Sequence, residues 1–205
     1  MSVDILNQVN QRYAEAVEFH ACAIHLYRFL SLEGFCALHK YQMLTEQIKQ
    51  LEVSEFIITT YHVMPKEIMQ KPTEPYLKGK HRLKLTPTDV WECMKQHFKD
   101  YRAFESENLS FYERCASELS KSNDIVGELY VKEICKEVHK ELIYVTDLYL
   151  EYIGMDFDLP QIIGDQTEIK ERFQYLQSTM FGTPIYSHHW NGDYFHEKRG
   201  LRNDG

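Results

Sequence analysis

A single glycine separates two long helical patterns near the start of the chain. From about Val3 to Leu32 apolar residues recur at helical spacing, with Leu6, Val9, Tyr13, Val17, Ile24 and Tyr27 on one side and Phe19, Cys22, Leu26 and Phe29 on another. No proline or interior glycine interrupts this run. A second run, carrying Leu38, Tyr41, Leu44, Ile48, Leu51 and Phe56, extends from about Phe35 to Thr60. Between them Gly34 is the expected end of the first helix, because a glycine after an apolar-periodic run commonly closes one. Two such runs with almost no connection form the corner of a helical hairpin, so the chain is expected to be all-α. The two apolar sides of the first helix predict contact on two flanks, as when a bundle helix also meets a second subunit. A helix central to a larger monomer is the alternative.

The second helix ends in Ile57-Ile58-Thr59-Thr60, a β-branched stretch of weak helix propensity that is expected to fray before Pro65. Residues 61–86 hold Pro65, Pro72 and Pro75 and read as a long connection with one short helix over 65–70. A crossover of that length lets helices two and three run parallel. Thr86-Pro87-Thr88-Asp89 then supplies a cap, a proline suited to the first helical position and an acid in the first turn. The third helix should run to about Lys121, with Val90, Met94, Phe98, Tyr101, Phe104 and Leu109 inward. Ser122-Asn123-Asp124 breaks it and caps a fourth, which carries Val126, Leu129, Val131, Ile134, Val138, Leu142, Val145, Leu148 and Tyr152 before Gly154. Four helices of about 25 to 35 residues are long for an average domain and right for a bundle. The expected division is a bundle over 1–154 and an extension over 155–205, with a short helix at about 167–180. The remainder reads as irregular, around an Asn191-Gly192 turn signal.

The chain of 205 residues carries a net charge of -8, which argues against binding nucleic acid through overall charge. Its five cysteines are odd in number, lack a C-x-x-C pair and mostly fall within helical patterns, as expected of reduced thiols. No stretch reaches a membrane-spanning length and the first thirty residues lack the order of a signal peptide, so a cytoplasmic protein is expected. Gly-rich phosphate loops, G-x-S-x-G and H-E-x-x-H are absent.

The corner Phe-Leu-Ser-Leu-Glu-Gly-Phe-Cys-Ala-Leu-His over residues 29–39 resembles the corner between the first two helices of the Dps-like mini-ferritins. Asp100-Tyr101-Arg102, the Asn123-Asp124 break and the acidic fourth helix agree with it in order and spacing. The resemblance covers residues 1 to about 152 and leaves the tail without a counterpart. It implies a ferritin-like four-helix bundle with a long crossover between helices two and three, assembly into a hollow shell of identical subunits, and oxidation of Fe(II) at sites shared by two subunits. Some members of that family bind DNA. Here the first ten residues hold no Lys or Arg, and the few basic residues of the tail make no DNA-binding surface.

Carried over residue by residue, the resemblance places Phe29 where the family has its first histidine and His39 where it has its second. Counting back from Pro65, Glu52 falls at the aspartate position and Phe56 at the glutamate position, with Glu55 beside it. His25 lies one turn before Phe29 on the same face and can substitute for the missing imidazole. His39, Glu52, Glu55 and His25 are therefore the candidate metal ligands, a carboxylate and imidazole set that suits iron. The alternative is that His39 packs at the corner and the glutamates are solvated. A ligand set within one bundle would use a Glu-x-x-His motif. Glu46-Gln47-Ile48-Lys49 occupies that place with a cation that opposes metal; Glu18, Glu133 and Glu137 could face inward, but the Glu/Lys alternation over Lys132 to Glu141 reads as a solvated face. His188, His189 and His196 in the tail read as surface or subunit-contact residues. The expected function is that of a Dps-like ferritin homologue that binds or stores iron and protects from oxidative stress, with altered Fe(II) oxidation. The alternative is a non-catalytic ferritin-like interaction protein that has lost its metal site.

Overall fold

The computed structural model describes residues 2–68, 76, 79, 81–156 and 158–180. Among them lie the helices α1 (Ser2–Leu30), α2 (Glu33–Tyr61), α3 (Pro87–Lys121), α4 (Ile125–Gly154) and α5 (Leu159–Met180), with a short 3-10 turn at Arg82–Lys84. Two hairpins, α1 with α2 and α3 with α4, pack through α1 against α3, and α5 lies on α2. None of these helices is long and apolar enough to cross a membrane.

The first corner differs from its expected form. Ser31, not Gly34, takes the left-handed conformation that ends α1, at φ 61°, and the Leu32 N–H donates to the Tyr27 carbonyl at 2.9 Å. Gly34 lies inside the first turn of α2, where it is required for space. A Cβ there would stand 2.6 Å from the backbone oxygen of Gln166 on α5. The Phe35 N–H donates to Gln166 Oε1 at 3.2 Å, fixing α5 across the corner. The expected short helix over 167–180 is thus the second half of a longer one. It begins near Pro160 and inserts Ile162 and Phe173, both fully buried, against the bundle.

The second hairpin follows its local chemistry. Thr86 and Asp89 form a reciprocal capping box around Pro87, with the Asp89 N–H donating to Thr86 Oγ1 at 3.1 Å and the Thr86 N–H to Asp89 Oδ2 at 2.9 Å. Asn123 is left-handed and Asp124 caps α4 by accepting from the Gly127 N–H at 3.0 Å. The β-branched end of α2 stays helical to Tyr61, because the Tyr61 hydroxyl donates to Asp124 at 2.6 Å and holds that last turn. Residues 62–68 are irregular, so the helix expected at 65–70 does not form there; 69 and 70 lie outside the described residues. The Asn191-Gly192 turn and the tail histidines also lie outside them.

Apolar clusters fill both ends of the bundle. Leu6, Val9, Ile57, Leu119 and Val131 pack at one, and Tyr27, Phe35, Phe98, Tyr152 and Ile162 at the other. Between them the interior turns polar: His20, His39, Gln42, Glu46, His97, Glu105, Asn108 and Glu141 are all buried.

Candidate metal centre

The polar residues of the middle occupy stripe positions that repeat every three or four residues and would otherwise carry core side chains. On α1, His20 stands between Tyr13 and Tyr27; on α2, His39, Gln42 and Glu46 precede Val53. On α3, Glu105 and Asn108 lie between Tyr101 and Tyr112, and on α4, Glu141 lies between Val138 and Val145. Packing the four stripes together therefore brings imidazole and carboxylate groups to one place.

One ring nitrogen of His20 and one oxygen each of Glu105 and Glu141 lie within 4.8 Å of one another. Burial pushes the Glu105 carboxyl up to about 7. Glu46 and Glu141 are held well above the usual carboxylate range by burial and then by the charge of Glu105. Burial lowers His20 to about 3, aided by His97. His20 Nε2 and Glu141 Oε1 are buried and have no hydrogen-bond partner among the described residues. Glu105 accepts from Asn108 Nδ2 at 3.2 Å, and Asn108 in turn accepts from Arg12 Nε at 2.6 Å, which steadies the α3 carboxylate from outside the cluster. Three carboxyl groups and a neutral imidazole without a resident cation stay uncharged or carry a large desolvation cost. A divalent ion changes that balance by letting the acids ionise against it. The donor set, oxygen-rich with one imidazole, suits Fe(II), Mn(II) or Zn(II). These residues fit a metal.

A layer of histidine and tyrosine adjoins the carboxylates. His20 Nδ1 and His39 Nδ1 stand 3.0 Å apart and share a hydrogen bond, while the Tyr27 hydroxyl meets His97 Nδ1 at 2.7 Å. Tyr27 stacks on the His39 ring with centroids 5.4 Å apart and an interplanar angle of 6°.

No protein-family model matches the chain, and no curated protein matches it by sequence. Solved structures do match. An engineered closed form of the Archaeoglobus fulgidus ferritin aligns with a TM-score of 0.69 at 12% identity, over 82% of this chain and 94% of that one. The fold is that of the ferritins. A humanized archaeal ferritin aligns at 0.67, with 12% identity over 82% of this chain and 94% of that one. An iron-soaked variant of PmFTN aligns at 0.64, with 14% identity over 81% and 96%. At such identities the likeness is one of fold, and the chemistry rests on the side chains of this chain.

Within this ferritin fold the four ligands expected from the resemblance are not brought together in one chain. His39 is fully buried and turned to His20. Glu52 pairs with Lys49 at 3.2 Å and Glu55 is exposed. Residues 39 and 52 lie on the same helix, about 20 Å apart along its axis. His25 is exposed and lines a cavity of about 350 Å³ with Arg28, Lys40 and Met43. Lys49, whose charge was expected to oppose a ligand set at Glu46, reaches Glu137 at 2.9 Å as well as Glu52, so two carboxylates already neutralise it. Glu133 is exposed and paired with Lys136 at 2.6 Å, as the charge alternation of α4 predicts, whereas Glu141, at the end of the same alternation, is buried because it falls on the stripe that faces the other helices.

His20 and Glu105 are not singled out by the sequence patterns, Glu141 is seen only as the end of a solvated Glu/Lys alternation, and Glu46 only through the Glu-x-x-Lys spacing. A usable signal was present. Each of the four bundle helices interrupts its apolar stripe with an ionisable residue, and a stripe residue must be buried wherever the bundle closes.

Proposed function

We propose that the chain is a ferritin-type iron-binding protein that takes up Fe(II) within its own bundle, at His20, Glu105 and Glu141 with Glu46 alongside, and promotes its oxidation to Fe(III). Iron is here the substrate and cargo. The observation that carries this reading is the buried cluster of carboxyl groups around an imidazole with an unpartnered nitrogen. Its residues divide the work. Glu105 and Glu141 supply anionic oxygen once an ion is near, and anionic oxygen favours the higher charge of Fe(III). His20 supplies the nitrogen donor. The apolar clusters at the two ends exclude bulk water, which strengthens each of these electrostatic contacts. Electrons leaving Fe(II) would pass to dioxygen or peroxide. Storage in a shell of identical subunits and protection from oxidative stress belong to the same proposal, supported by the fold and by the resemblance of the corner. A ligand set inside one bundle favours the ferritin arrangement over the subunit-shared site of the Dps-like proteins.

The test is anaerobic Fe(II) titration of the metal-free protein, followed by admission of air while ferric absorbance is recorded. The wild type is expected to bind Fe(II) and oxidise it, and a Glu105→Gln, Glu141→Gln double variant to lose both by a factor of about a hundred or more. Loss of binding instead in a Glu52→Ala, Glu55→Ala variant would move the site to the ligands expected from the resemblance. If the wild type binds no metal, the chain is a ferritin-like interaction protein without metal chemistry.

A further inference from the structure

His39 matches the histidine that the family resemblance offered as a ligand, yet it lies behind another histidine. Its Nδ1 is 3.0 Å from His20 Nδ1, and a hydrogen bond between two such nitrogens needs one N–H and one lone pair. Two tautomer pairs satisfy that bond, and they have opposite consequences for the carboxylate cluster. If His39 donates, His20 must carry its proton on Nε2, the one nitrogen left to face an ion, and the ring cannot coordinate. If His20 donates, its Nε2 presents a lone pair and the ring can coordinate.

We propose that His39 is the positioning residue of the metal centre: its Nδ1 accepts from His20 Nδ1, which fixes His20 as the tautomer whose Nε2 binds the ion. This rests on the reading of His20, Glu105 and Glu141 as a metal site. The surroundings hold His39 in that role. Its ring is fully buried, stacked on Tyr27, met edge-on by His97 with centroids 4.9 Å apart, and bordered by Tyr101 at 5.1 Å. A ring packed on three sides cannot swing away to release its partner. His20 Nε2 is buried with no hydrogen-bond partner among the described residues, which leaves it to an ion; His39 Nε2, which carries that ring's proton in this tautomer, has none there either and does not distinguish the two pairs. An acceptor behind a ligating imidazole also raises its basicity and fixes its orientation, a device worth roughly ten- to hundredfold in metal affinity.

Zn(II) is the probe for the test, since it is diamagnetic and takes nitrogen and oxygen donors. Long-range nitrogen–proton NMR of the Zn(II)-loaded full chain is expected to show His20 protonated on Nδ1 and metal-bound through Nε2, with His39 protonated on Nε2. Competition with a chromophoric chelator is expected to show His39→Leu weakening Zn(II) binding roughly ten- to hundredfold. His39→Asn keeps an acceptor oxygen at the Nδ1 position and is expected to restore affinity to within a few-fold of wild type. Thermal unfolding of each metal-free variant checks that it folds, and the wild-type tautomer measurement stands even if His39→Leu does not. His20 bound through Nδ1, His39 protonated on Nδ1, or undiminished Zn(II) affinity in folded His39→Leu would each overturn the positioning role while leaving the metal site intact. Absence of Zn(II) binding in the wild type would overturn both.

Discussion

The end of the bundle around Leu6, Leu119 and Val131 and the middle around His20, Glu105 and Glu141 are made by the same helices at the same helical spacing. One is mainly apolar, with Asn7 and Asn10 as buried polar side chains of α1, and the other gathers acids and imidazoles. Register decides which side chains meet, and side-chain identity then decides whether the meeting yields adhesion or chemistry. At the apolar end each buried apolar side chain adds to stability through area removed from water and close packing. In the middle every buried carboxyl subtracts from it until a cation arrives. The largest test of this contrast is Leu119→Ala, which truncates a fully buried side chain away from the carboxylates. It should lower stability by about 2–5 kcal/mol in chemical denaturation while leaving Zn(II) affinity unchanged. If affinity falls along with stability, the two regions are not separable.

Glu105→Gln probes the same contrast from the other side and has the opposite sign. The folded-state pKa of Glu105 is raised from 4.5 to about 7, chiefly by burial. A carboxyl raised in this way supports the fold below its unfolded value, and that support is lost as pH climbs through the folded value. At pH 8 the metal-free wild type therefore carries a penalty of about 3 kcal/mol at this residue, which Gln removes. Denaturation at pH 8 should show the metal-free variant to be the more stable protein, and saturating Zn(II) should stabilise only the wild type. The histidines act in the reverse sense. His20 and His97 are lowered from 6.5 to about 3, so their neutral rings cost stability only as pH falls below 6.5. Alkaline destabilisation that Glu105→Gln reduces, together with acid destabilisation that it leaves in place, would separate the two groups.

The same contrast explains what could be read from the sequence. The α3 start at Thr86-Pro87-Thr88-Asp89 and the break at Asn123-Asp124 were legible because a cap is local, with donor and acceptor three residues apart. The long crossover and the four-helix order followed from proline placement and periodicity. The candidate metal centre is not legible in the same way, because Glu105 and Glu141 meet His20 only when three helices pack. Ligand spacing along the chain points instead to His39, Glu52, Glu55 and His25, which are related by local pattern. Lys49 stands where the Glu-x-x-His spacing would place a ligand beside Glu46, but its long stem carries the ammonium to Glu52 and Glu137. His39 is the instructive intermediate. The sequence offers it as a ligand, and the fold sets it one hydrogen bond behind His20, the proposed ligand.

Gly34 marks a third position that sequence and packing read differently, and its substitution gives the smallest effect. As a helix end it would need a left-handed backbone, and alanine would be strained. In the structure Ser31 holds that conformation, and Gly34 sits within α2 with its Cα against Gln166. Two terms then oppose each other in Gly34→Ala. Alanine within a helix is favoured over glycine by up to about 1 kcal/mol. Its Cβ would also lie 2.6 Å from the Gln166 backbone oxygen, and such overpacking costs about 1–3 kcal/mol unless the neighbour moves. The neighbour here is the backbone of α5, which cannot yield as a flexible side chain does. The expected net loss is about 1 kcal/mol, and hydrogen exchange should place it in α5 and the first turn of α2, with Zn(II) affinity unchanged. A gain in stability with α5 still protected would show that the corner has room for a methyl group, and that the glycine is not what sets the approach of α5.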